Sequence, residues 1–253
     1  MQRKAAALRA VKEASAFLKK QFCTGHAGSK KADGTLVSAA DHGSDARIIK
    51  ILRKAFPDDA ILTEESGELA GSNDYRWIVD PLDGTHNFLA GIPLFGILLA
   101  LEKAGEIILS VCAFPLIEEL FVAEKGKGAF LNGKRIHVSK ERSLHGGMFL
   151  ADGNSELRMD AIFKDIRPFR DHGCRFRMLG EGPFCWSRVA MGTAIAAVMH
   201  RGKIWDVAAP ALLVEEAGGK VTDFRGKPWD LPPQSLVVTN GILHKKVLNI
   251  LTS

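Results

Sequence analysis

The 253-residue chain carries 34 Lys and Arg against 29 Asp and Glu, a formal net charge of +5, with 46% hydrophobic and 25% charged residues. No apolar run approaches the roughly 20 residues needed to span a bilayer, so the composition reads as a soluble globular protein. The basic residues fall in scattered pairs such as Lys19-Lys20, Lys30-Lys31 and Lys245-Lys246 without interleaved aromatics, which points to solvated surface and away from nucleic-acid or membrane partners.

In chain order, Leu8, Val11, Ala14, Phe17 and Leu18 recur at helical spacing and predict a first helix over Arg3–Phe22. Glu13 and the unbroken pattern favour a structural helix over a mitochondrial presequence, and the cytoplasm is the expected location. K-K-A-D-G-T-L-V reads as a turn into a short strand, followed by a second helix over Asp41–Phe56 that stops at Pro57. After Ile61 and Leu62 the polar break T-E-E-S-G brings Glu64 and Glu65, and Tyr75–Val79 reads as a strand. From Phe95 to Val138, short apolar runs split by Gly, Asn and Lys predict an antiparallel meander. Beyond it the pattern predicts a strand at Met148–Leu150, a helix from about Ser155 to Ile166, an apolar helix around Trp186–Val198, and a helix over Val207–Glu216 before G-G-K-V. Cys23, Cys112, Cys174 and Cys185 show no C-x-x-C spacing and are expected to be reduced. With no repeats, residues 1–253 read as one α/β unit of alternating sheet and helix layers, with an N-terminal half over 1–145 and a C-terminal half over 146–253.

Trp77–Phe88, W-I-V-D-P-L-D-G-T-H-N-F, runs an apolar strand into two acids three residues apart. Such acids are costly to desolvate unless a positive charge neutralises them. Pro81 stiffens the turn and Gly84 lets it bend closely, which aims Asp80 and Asp83 into one concavity suited to a hard cation such as Mg²⁺. The Gly84 and Thr85 amides, at a helix start, suit a phosphate. A lone D-x-x-D-G is more often a capped surface turn, but Glu64 and Glu65 sit in a similar strand-end break, and Asp206 opens an apolar helix. Together these acids suggest a metal cluster. His86, His137 and His200 lack zinc spacing, and Trp205 reads as core.

T-E-E-S, W-I-V-D-P-L-D-G-T-H-N-F and W-D-V-A-A-P-A-L-L-V-E-E-A-G-G resemble the signature motifs of the inositol monophosphatase family of lithium-sensitive, Mg²⁺-dependent phosphatases, and the similarity runs over nearly the whole chain. The resemblance implies a layered αβαβα sandwich of the sugar-phosphatase type, a homodimer, and two or three Mg²⁺ ions. Glu64, Asp80 and the Leu82 carbonyl would bind the first ion, and Asp80, Asp83 and Asp206 the second. Glu64 and Thr85, with Asp41 orienting Thr85, would direct a water at phosphorus, while Asp206 stabilises the leaving alkoxide. Asp41, in S-A-A-D before an apolar-periodic run, also reads as the N-cap of the second helix. The small phosphorylated substrate would meet Asp83, Gly84, Thr85, Gly180, Glu181, Arg201 and Asp206.

Two positions depart from the inositol-specific pattern. Before the apolar helix the chain reads L-G-E-G-P, so Glu181 lines that wall, and the place seven residues before Asp206, where a hydroxyl-binding Glu is usual, holds Met199. A sugar, polyol or related monophosphate is therefore expected. The alternatives are a bisphosphate substrate, either fructose 1,6-bisphosphate or a 3′,5′-bisphosphonucleotide, drawn by Arg201 and Lys203, and a non-catalytic scaffold. The intact acids argue against the scaffold.

Overall fold

Alternation along the strands decides how the layers stack. The computed structural model describes residues 2–22, 28–30, 36–152, 156–200, 202–229 and 235–252. Its elements begin with α1 (Gln2–Phe22), β1 (Gly28–Lys30), β2 (Leu36–Ser38), α2 (Ala39–Ala55), β3 (Ala60–Thr63), β4 (Gly67–Leu69), β5 (Tyr75–Asp83) and α3 (Thr85–Leu89). The expected meander follows as β6 (Gly96–Lys103), β7 (Glu106–Phe114), β8 (Glu119–Glu124), β9 (Gly128–Leu131) and β10 (Lys134–Ile136). The remainder comprises β11 (Met148–Ala151), α4 (Glu156–Asp171), β12 (Arg175–Met178), α5 (Gly182–Ala190), β13 (Ala196–Met199), α6 (Ile204–Glu216), β14 (Lys220–Asp223), β15 (Leu236–Thr239) and α7 (His244–Leu251).

An eight-stranded sheet of order β10-β9-β8-β7-β6-β5-β3-β4 is antiparallel except where β3 runs parallel to β5, and a five-stranded sheet has the order β12-β11-β13-β15-β14. In β5 and β6, Trp77, Val79, Ile97 and Leu99 face α1 and α2, whereas Ile78, Leu98 and Ala100 face α5 and α6. The second sheet repeats the division: Leu150, Ala197 and Met199 join the core around α5 and α6, while Phe149, Ala151, Ala196 and Val198 pack with Ile162 and Phe169 of α4 and Val247 of α7. The layers are thus α1/α2, large sheet, α5/α6, small sheet and α4/α7, the expected αβαβα sandwich. Among the described residues no helix is long and apolar enough to cross a membrane.

One expected element is different. The run predicted as a helix around Trp186–Val198 divides into the end of α5 and the strand β13. Gly192 takes the left-handed conformation at φ 81°, where a Cβ would stand 2.9 Å from the His137 carbonyl oxygen, so the chain turns there. All four residues of β13 are buried, and a strand covered on both faces has a continuous apolar sequence that periodicity does not separate from a buried helix. Cys112, Cys174 and Cys185 are buried and free, while Cys23 lies outside the described residues.

Candidate active site

The expected acids meet where strand ends and helix N-termini converge. Asp80 and Asp83 would point to opposite faces of a regular strand, being an odd number of residues apart. Between them β5 carries a bulge: Asp80 pairs with Leu98 and Asp83 with Gly96, three residues against two. The extra residue returns both side chains to one side. Gly84 follows at φ 80°, a left-handed turn that starts α3, and a Cβ there would meet Glu181 Cγ at 3.1 Å and the Leu94 carbonyl oxygen at 3.2 Å.

Asp206 arrives from the first turn of α6, where its Oδ2 accepts from the Lys203 N–H at 2.7 Å. Carboxylate oxygens of Asp80, Asp83 and Asp206 all lie within 4.8 Å of one another. Glu64, just past β3, donates its backbone N–H to the Val79 carbonyl and is close enough to push up both Asp80 and Asp206. Asp41, 1% exposed in the first turn of α2, accepts the Ser38 N–H at 2.7 Å and the Ser38 hydroxyl at 2.6 Å on Oδ2; the helix starts two residues earlier than expected, so Ser38 is the N-cap and Asp41 the third-residue partner of a capping box, not the N-cap itself. Its Oδ1 lies 3.0 Å from Thr85 Oγ1, which is also 3.1 Å from the Leu82 carbonyl oxygen. One hydroxyl proton can serve only one of these acceptors.

Of the remaining expected residues, Gly180 and Glu181 lie before α5, with Glu181 capping that helix through the Phe184 N–H. Asn87 ties α3 to this wall by donating to the carbonyls of Leu94 and Leu179, both at 2.9 Å. Met199 is buried, with its methyl over Gly182. Lys203 is exposed above the Trp205 ring, with Nζ 5.8 Å from its centroid, and Arg201 lies outside the described residues. Glu65 faces His42, while His200 is a buried packing residue between Asp165 and Ser235.

Two acids escaped the sequence reading. Asp152 ends β11 behind Gly182, near enough to raise Asp206 and Glu181. Asp45, buried on α2, accepts from the Ser66 hydroxyl at 2.5 Å and so steadies the turn that carries Glu64. An acid closing an apolar strand before glycine, as in F-L-A-D-G, is the signal that could have found Asp152.

Gathering these carboxylates out of water makes their charged forms unfavourable. Burial, then Glu64 and Asp206, pushes Asp80 well up; burial, then Glu181 and Asp80, does the same to Asp83. Asp206 rises to about 7 through burial, aided by Glu64 and Asp152, and Glu181 rises to about 7, again mainly through burial. The N-terminal turns of α2, α5 and α6, which present N–H groups to Asp41, Glu181 and Asp206, offset only part of this charge. A donor set made only of oxygen, with no Cys or His within the group, fits a hard divalent cation of the Mg²⁺ type.

These directions fix the pH response of the metal-free protein. A carboxyl whose pKa is higher in the folded state adds stability below its unfolded value, and that stability is lost as pH rises through the folded value. In EDTA the melting temperature should therefore fall by several degrees between about pH 5 and pH 8. Millimolar Mg²⁺ at the upper pH should reverse the fall, and Asp206→Asn should flatten the slope; calorimetric scans showing a flat profile in EDTA would contradict the charge assignment.

A five-layer sandwich carrying an all-oxygen acid cluster beside a Thr–Asp pair suits metal-assisted hydrolysis, and the family and relatives this chain matches are phosphoric monoester hydrolases. The sequence model of the inositol monophosphatase family matches residues 2–253, and the chain belongs to that family. It is 36% identical over 215 residues to the fructose-1,6-bisphosphatase/inositol-1-monophosphatase of Thermotoga maritima, covering 85% of this chain and 82% of that one. It is 37% identical over 226 residues to a histidinol-phosphatase of Chlorobaculum parvum, covering 86% and 84%. The crystal structure of the extragenic suppressor protein SuhB from Bartonella henselae superposes with a TM-score of 0.95 at 32% identity, covering 100% of this chain and 99% of that one.

Proposed function

We propose that this phosphatase is Mg²⁺-dependent and hydrolyses the phosphate monoester of a small sugar, polyol or related metabolite. The observation that carries the reading is the Asp80, Asp83 and Asp206 cluster, with Thr85 hydrogen-bonded to Asp41 at its edge. Glu64, Asp80 and the Leu82 carbonyl would hold one ion, and Asp80, Asp83 and Asp206 another. When bound, such ions supply a water acidic enough to act as nucleophile and positive charge for the phosphoryl oxygens. Thr85, donating its proton to Asp41, keeps a lone pair free to accept from the attacking water, and Glu64 orients that water from the opposite side. Gly84 and Thr85 offer backbone N–H groups to the phosphoryl oxygens, and Asp206 sits on the leaving-group side.

The working form is proposed to be a cytoplasmic homodimer. The test is phosphate release from inositol 1-phosphate, histidinol phosphate and fructose 1,6-bisphosphate. Mg²⁺-dependent release is expected, higher kcat/KM for a monophosphate, and inhibition by millimolar Li⁺. No release from any of the three with Mg²⁺, or release unaffected by EDTA, would overturn the reading.

A further inference from the structure

Glu181 has a second oxygen that helix capping leaves unused. Its side chain is 1% exposed, and Oε2 accepts the Phe184 N–H at the start of α5. Oε1 accepts from no donor among the described residues, and neither does Asp83 Oδ2. The two carboxyl groups lie within hydrogen-bonding reach of each other. Oε1 stands 3.0 Å from where a Cβ on Gly96 would sit, and the Phe114 ring closes the same recess at 2.9 Å from that point. Arg188, a cation near enough to favour ionised Glu181, is held in a two-pronged ion pair with Glu119 and stacks on Phe184. It donates no hydrogen bond to Glu181 among those described.

Two buried carboxyl groups within hydrogen-bonding reach repel strongly at low dielectric once both are ionised. The arrangement is satisfied by a positive centre shared between the oxygens. We propose that Glu181 Oε1 and Asp83 together ligate a divalent cation, so that Glu181 adds a fourth carboxylate to the Asp80, Asp83 and Asp206 set. This rests on reading that set as a divalent-cation site. The donors are all hard oxygens, as Mg²⁺ and Mn²⁺ require, and a recess walled by Gly84, Gly96 and Phe114 favours a bare ion over an alkylammonium group.

Mn²⁺ serves as the probe, counted by electron paramagnetic resonance of the free ion and located by anomalous scattering from Mn²⁺-soaked crystals. In the unmodified protein an anomalous peak is expected at about 2.1 Å from Glu181 Oε1. Glu181→Gln keeps an oxygen for the Phe184 N–H but removes the charge, and should weaken one Mn²⁺ by about tenfold or more, since losing a group that merely orients a metal ligand already costs about 10- to 100-fold. Unchanged Mn²⁺ number and affinity in Glu181→Gln, or manganese peaks that leave Oε1 unligated, would overturn the proposal and assign the shared centre to a proton. If the variant does not fold, the peaks in the unmodified protein decide alone. An unmodified protein that binds no Mn²⁺ would overturn the reading of the acidic cleft itself, and this proposal with it.

Discussion

Asp80→Asn is expected to lower kcat by about a thousandfold or more at saturating Mg²⁺ while raising the melting temperature of the metal-free protein. Both effects have one cause. Asp80 is 1% exposed at the centre of the cluster, its Oδ1 accepts the Leu82 N–H at 3.0 Å, and Glu64 and Asp206 press on its charge. With ions bound, that negative charge is what holds them; several kcal/mol of transition-state stabilisation depend on it. Without ions, the same charge is buried among like charges and destabilises the fold, so a neutral amide of the same shape relieves repulsion. The Asn side chain keeps an oxygen for the Leu82 N–H, so the bulge should persist. Steady-state phosphate release and a thermal scan in EDTA check the two halves. A variant with near wild-type kcat, or one destabilised in EDTA, would show that Asp80 serves the fold and not the chemistry.

Asp41→Asn and Thr85→Val should each lower kcat by about 100- to 1,000-fold, with the Mg²⁺ dependence and the fold intact. Asp41 Oδ2 receives both the N–H and the hydroxyl of Ser38, at 2.7 and 2.6 Å. An Asn at this position must keep its amide oxygen there, because a backbone N–H cannot donate to an NH₂ group. The NH₂ then faces Thr85 Oγ1, which has to accept, and the Thr85 proton turns to the Leu82 carbonyl 3.1 Å away. Thr85 Oγ1 still has one lone pair for the attacking water, but its proton now goes to a neutral carbonyl in place of a carboxylate and it is a weaker acceptor, so the water is less activated. Thr85→Val removes the same group without changing shape, whereas Thr85→Ser should retain most activity. If Asp41→Asn matched the wild type while Thr85→Val did not, the direction of the Thr85 proton would be irrelevant to the reaction.

The strands, the principal helices and the acids at their ends were legible in the sequence because each depends on near neighbours. Period-two and helical apolar patterns placed α1, α2, β5 and the meander, and D-P-L-D-G-T marked a turn whose carboxylates need compensation. Capping made Asp41 and Asp206 visible for the same reason, since a cap is satisfied within a single turn of helix. Beyond that range, local pattern stops deciding. A-I-A-A-V-M became the buried strand β13 because sheet neighbours and helices cover both its faces, and an all-apolar run does not encode which element that cover requires. Only the bulge in β5 puts Asp80 and Asp83 on one side, and it exists through the register with β6. Only the stacking of five layers brings the N-terminus of α5 against the turn after β5, which sets Glu181 beside Asp83 and Asp152 behind both. Sequence determined which residues carry charge at the ends of elements; the tertiary structure decided which of those charges share one space out of water, because that depends on contacts between segments whose positions the chain fixes only when the layers close.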